Sequence, residues 1–239
     1  MALFAEHDLD LDSELERVAR IDHPLPNMGS GFEALDHLEA STPEEERLKQ
    51  SLRVALHRAS LYTLAIDDYL AARPSAQSLA MIGEMRDFAH HSLLSLIPGS
   101  TQGLAPISNI FEFCQVAALI YSFLCIFPIT NASFGRLTSH IKQALSQNKW
   151  PHVWNQAPRL MLWTVSMAAI AATGKSERTW YVAVLDRCRR ELDITSSVAL
   201  KNTLKDFLWF EHTNDPDADD LWEELQGLNP FGIRDDGVG

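Results

Sequence analysis

Cysteine is scarce in this sequence. The 239 residues include three, Cys114, Cys125 and Cys188, with no CxxC pair. An odd number at such spacings excludes a disulfide framework and a zinc cluster, and predicts a reducing compartment. Cys114 and Cys125 share a helical face but lie about 16 Å apart along it, too far to bond or to share a metal. All three read as small core hydrophobes. Strand signals are equally sparse: no Asn-Gly or Asp-Gly turn joins two alternating apolar runs. A basic surface is missing as well. Of the net charge of -12, residues 1–50 contribute 13 acids against 4 bases and residues 211–239 contribute 9 against 1. The middle keeps 10 acids against 15 bases, a spread too thin to neutralise a run of phosphates, which excludes direct duplex binding. The densest basic group, Arg187, Arg189 and Arg190, points in several directions on a helix and reads as a solvated face.

The first residues, MALFAEHDLDLD, lack a basic stretch ahead of an apolar one. They predict neither a secretory signal nor a transit peptide, and so an intracellular protein. The longest apolar run, 116–129, has 14 residues and contains Pro128. About 20 are needed to span a bilayer, so a buried helix without membrane contact is expected.

What the sequence does have is apolar residues at three-and-four spacing, within a hydrophobic content of 46% that is enough for a proper core. The reading is all-α: one irregular domain of about eight helices over 41–227, after an acidic segment 1–40 and before a frayed tail 228–239. Thr42, Pro43 and Glu45 form a capping box that opens a helix stopped by Pro74. Helices follow over 75–96, 107–127 and 133–147, the third being apolar nearly all round and therefore central. A loop covers 100–106, and an ordered connection with two tryptophans covers 149–158. Then come helices over 159–173, closed by Gly174, and over 177–192, 198–211 and 215–226. The last has Asp215 as its cap and Pro216 at its first position. Within 1–40, Leu3, Phe4, Leu9, Leu11 and Leu15 alternate with acids. That pattern suits an activation-type amphipathic segment, or an ordinary acidic first helix packed on the domain.

Chemical motifs are few. AIAATGKS (169–176) ends like a phosphate-binding loop, but Ala169 stands where that loop needs glycine and no strand precedes it, so Gly174 reads as a helix terminator. Asp215, Asp217 and Asp219 imitate the start of a calcium loop, yet Asp220 and Gln226 replace its required glycine and glutamate. His90 and His91 are about 100° apart on a helix and cannot share an ion. No GxSxG or HExxH is present. No catalytic, cofactor-binding, metal-binding or DNA-binding residue is therefore assigned, and the chain is expected not to be an enzyme.

Four stretches carry a resemblance: QVAALIYSFLCIFPIT (115–130), LMLWTVSMAAIAATGKSERTWYV (160–182), VALKNTLKDFLWFEH (198–212) and DDLWEEL (219–225). In them Trp163, Gly174, Glu177, Arg178, Trp180, Leu208, Trp209, Leu221, Trp222 and Glu223 stand in the order of a known pattern. It resembles the fungal-specific regulatory domain of zinc binuclear cluster transcription factors, in the sterol-regulator-like subgroup. The six-cysteine zinc cluster of such factors is not among these residues. The resemblance implies a nuclear or shuttling regulator that acts through protein partners of the transcription machinery or through its own copy. A sensor of a small apolar ligand such as a sterol or lipid is the alternative, with helices 107–127 and 159–173 as walls. A helical scaffold or enzyme reusing the domain is the third reading. On residue chemistry alone these positions look architectural, with Arg178 placed to pair with a helix end or a carboxylate while its stem packs.

Overall fold

The helices are set by their caps and by what they bury. In the computed structural model, which describes residues 29–74, 76–96, 109–128, 134–146 and 154–227, the elements are a 3-10 turn at Ser30–Leu35 and eight α-helices. These are α1 (Pro43–Leu70), α2 (Leu79–Ser95), α3 (Ile110–Tyr121), α4 (Gly135–Ala144), α5 (Pro158–Ala171), α6 (Arg178–Glu191), α7 (Ser197–Leu204) and α8 (Glu211–Gly227). No strand occurs among the described residues, so the chain is all-α. The expectations for 1–28, for the 100–106 loop and for 228–239 lie outside the described residues.

The capping box of α1 forms in a shifted version. Thr42 Oγ1 accepts the Glu45 N–H at 3.1 Å, while the Glu45 carboxylate reaches back to the N–H of Ser41 at 2.6 Å. The same carboxylate accepts from the Asn109 side chain at 3.0 Å, and Asn109 itself caps α3 through the Glu112 N–H. One glutamate thereby fixes the starts of two helices. Ser78 and Ser196 cap α2 and α7 in the same way.

Helices α1 and α2 pack along each other, and α3 and α5 form the central pair, with α6 on the far side of α5. Every residue of α3 except Glu112 is buried, and so is every residue of α5 beyond Arg159, as an all-round apolar helix requires. The 3-10 turn closes one side: Phe32 and Leu35 are buried, and the N–H groups of Gly29 and Gly31 both donate to the Asp206 carbonyl, at 2.9 and 2.8 Å. Residues 29–40 thus pack on the helical body, although the sequence groups them with the acidic segment.

Several boundaries differ from expectation, and the second helix begins at Leu79, after its Ser78 cap, rather than at 75. The apolar 107–127 helix does not stay α to its end: Ser122–Ile126 is a π-turn, closed by the Phe127 N–H on the Ser122 carbonyl at 2.7 Å. Pro158, expected in the connection, is the first residue of α5. The last two helices divide elsewhere: α7 ends at Leu204, and α8 begins at Glu211 with Pro216 inside it. Asp215 is therefore no cap. The extra turn is held by Asn214, whose side-chain oxygen takes the Phe210 N–H at 2.9 Å, and by Asp215, which accepts the Trp209 indole N–H at 2.7 Å. These contacts offset the backbone bond that proline forfeits.

Candidate functional site

Residues of the sequence pattern tie α5, α6 and α8 to one another and to the 205–210 connection that follows α7. Trp163, fully buried, donates its indole N–H to the Leu208 carbonyl at 3.0 Å and stacks on Phe207 at 5.7 Å. Arg178 grips Glu224 with two of its nitrogens, and a third donates to the Ala169 carbonyl in the last turn of α5. It therefore meets both a carboxylate and a helix end. Glu177 accepts the Thr138 and Ser139 hydroxyls at 3.0 and 2.8 Å, tying α6 to α4. Gly174 has φ of 76°, the left-handed conformation expected of a helix terminator. Trp222 lies under the Arg189 guanidinium, and Leu208 and Leu221 are fully buried. Glu223 is exposed and makes no such lock.

The weaker motifs are also engaged structurally. Lys175 donates to the Ala171 carbonyl at 3.2 Å, at the end of α5 where a phosphate would have to sit. Asp215, Asp217 and Asp219 lie on the continuous helix α8, not on a loop; Asp219 binds Ser197 and Lys201. Asp186 draws in both Arg189 and Arg190, and Arg187 pairs with Glu191, so two carboxylates offset most of the charge of the three arginines. Among the described residues, no group of three or more His, Cys, Asp or Glu side chains could hold a metal ion, and no helix is long and apolar enough to cross a membrane.

Polar groups converge inside the apolar body at the π-turn, an irregularity that concentrates at functional sites. Tyr121, completely buried, lies with its phenol oxygen 2.6 Å from Thr63 Oγ1 on α1. Cys125 donates its thiol to the Asn214 side-chain oxygen on α8 at 3.4 Å. Ser122 Oγ is 2.7 Å from His90 Nδ1 on α2, and the His90 ring stacks at 4.7 Å on Phe127, which Arg86 covers. Phe127 is 40% exposed, so the cluster has an outer end.

Electrostatics make this a neutral hydrogen-bonding site. Burial pushes the Cys125 thiol up to about 12, against the opposing pull of the Asn214 bond. Burial likewise raises Tyr121 well above its ordinary value and lowers His90. Asp67, at the α1 edge of the cluster, is pushed up to about 6, first by burial and then by the Glu211 carboxylate, with Arg73 opposing. A thiol protonated at neutral pH is no nucleophile. Sequence reading takes Cys125 as a core hydrophobe and sets His90 aside as a metal ligand, and passes over Tyr121, Ser122 and Asn214; the available signal is that Tyr121 and Ser122 interrupt an apolar run with hydroxyls. Comparison with family models, curated proteins and solved structures finds no match.

Proposed function

We propose that this chain is a regulatory effector domain, working in transcription through helix surfaces that bind partner proteins or a second copy, in the nucleus or shuttling to it. The observation that carries this reading is the interlock of α5 to α8. Trp163 meets Leu208 there, and Arg178 joins α6 to the end of α5 and to Glu224 on α8. The role is taken from the sequence resemblance by analogy. The neutral thiol, phenol and imidazole of the π-turn cluster favour binding over catalysis. The test is a fusion of the full chain to a heterologous DNA-binding domain ahead of a reporter. A change of several-fold in output is expected, and a folded fusion that alters the reporter in neither direction sinks the reading.

A second reading, a sensor of a small apolar ligand, is favoured by the placement of that polar cluster among the buried faces of α1, α3 and α8. Thermal unfolding against sterols and lipids tests it, because a ligand at 100 times its Kd adds about 2.7 kcal/mol. No shift at saturation rejects the sensor and leaves the protein-contact reading standing.

A further inference from the structure

The sequence holds one Arg-x-x-Ser step, Arg136 to Ser139, and both of its ends are exposed on α4. The Ser139 hydroxyl donates to the Glu177 carboxylate, at the start of α6, at 2.8 Å. Thr138 reaches the other oxygen of that carboxylate, but its single proton is also attracted by the Phe134 and Gly135 carbonyls, at 3.1 and 3.2 Å. Ser139 therefore makes the firmer of the two hydroxyl bonds to Glu177. Cations flank it three residues away on either side, where side chains on a helix are neighbours. Arg136 has no carboxylate partner among the described residues. Lys142 places its ammonium 5.6 Å from the Trp180 ring on α6, so it and Ser139 both face that helix.

We infer that Ser139 is a phosphorylation site for a protein kinase that selects arginine three residues before its acceptor, and that the phosphate moves from Glu177 to Arg136 and Lys142. The hydroxyl oxygen takes the terminal phosphoryl group of ATP. The bond from that phosphorus to its bridging oxygen breaks, ADP leaves, and the serine proton is released. The dianionic product has no proton for Glu177 and carries about -1.5 to -2 charge at pH 7, so the carboxylate that held the hydroxyl now repels it. The flanking arginine and lysine offer it charge-assisted hydrogen bonds instead. The buried bond from the Tyr181 hydroxyl to the Thr138 carbonyl is untouched, so α4 and α6 stay packed and their outer contact alone is switched. A kinase takes its acceptor in extended form, so α4 must open. With ten residues it is too short to persist alone, and it is held by the burial of Leu137, Thr138, Ile141 and Ala144. This site stands whether or not the chain regulates transcription.

The full chain, incubated with magnesium-ATP and a calmodulin-dependent protein kinase of that preference, tests this by mass spectrometry and phosphorus NMR. One phosphate is expected, on Ser139, with loss of the modification in Arg136→Ala. The second ionisation of that phosphate should fall below its ordinary value of about 6, because Arg136 and Lys142 favour the dianion. A folded chain that takes no phosphate at Ser139 overturns the site, and so does equal labelling of Arg136→Ala. A second ionisation at or above about 6 leaves the phosphate beside Glu177 and overturns the switch.

Discussion

Replacing Gly31 with alanine should destabilise the protein by about 1–3 kcal/mol, the usual result of forcing a methyl group into a packed interior. A Cβ at this position would fall 2.5, 2.6 and 2.8 Å from three ring atoms of Phe207. The ring has little room to retreat. It is 1% exposed, stacked on Trp163 and met edge-on by Phe32 at 5.2 Å. The backbone is pinned as well, by the Gly31 N–H on the Asp206 carbonyl. The other escape, detachment of the 3-10 turn, would surrender the burial of Phe32 and Leu35 at about 1.5–3 kcal/mol each, so a displaced ring is the cheaper response. Urea unfolding followed by tryptophan fluorescence reads the loss directly, since Trp163 is one of the displaced partners. The melting temperature should fall by about 2–4 °C per kcal/mol in a chain of this size. Gly83 is the matched control: a Cβ there meets nothing within 4 Å inside α2, and Gly83→Ala should stabilise by about 0.5–1 kcal/mol. If Gly31→Ala unfolds within about 0.5 kcal/mol of wild type while Gly83→Ala behaves as stated, the docking of the 3-10 turn on Phe207 is wrong.

Arg178→Ala should cost about 2–4 kcal/mol, because it removes the bond to the Ala169 carbonyl and a packed stem together. Glu224→Ala should cost under about 1 kcal/mol, since that carboxylate is 45% exposed; equal losses in denaturant titrations would contradict the division. Cys114, Cys125 and Cys188 are buried with thiols raised by burial, so a thiol reagent should label none of them in the native protein and all three in denaturant. Stoichiometric native labelling would refute this. Asp67 has its folded value raised from 3.8 to about 6, so the native state binds the extra proton, and its contribution is lost as pH rises through that window. Asp67→Asn should therefore be more stable than wild type at pH 7, with the gap closing towards pH 4; a gap that is constant with pH counts against the buried carboxyl.

The α-helical class was legible because periodicity and caps are local. Thr42 and Gly174 do in the structure what their positions predict, and Glu45 does so one residue out of register, on the Ser41 N–H. The errors fall where a distant contact overrides the local signal. Asp215-Pro216 has the form of a helix start, yet Trp209 claims the carboxylate, Asn214 takes the Phe210 N–H, and α8 begins a turn earlier. The π-turn is the same kind of event. Nothing in SFLCI forbids an α-helix; the bonds of Tyr121, Ser122 and Cys125 to three other helices accompany the widened turn. Phe32 and Leu35 stand in an acidic stretch, and only the presence of Phe207 and Trp163 opposite makes the segment part of the core.

The contrast explains why the site was less legible than the fold. A recurring pattern of tryptophan, glycine and arginine is held in place by what those residues contact inside the chain. Here the indole N–H groups of Trp163 and Trp209 and the guanidinium of Arg178 are all engaged internally. Such residues report packing and have nothing left to offer a partner. Binding requires unused capacity, and in the π-turn cluster that capacity sits on Asn214 Nδ2. That nitrogen cannot be recognised as free from sequence, because it becomes so only after the bonds of the Asn214 oxygen have been assigned in three dimensions.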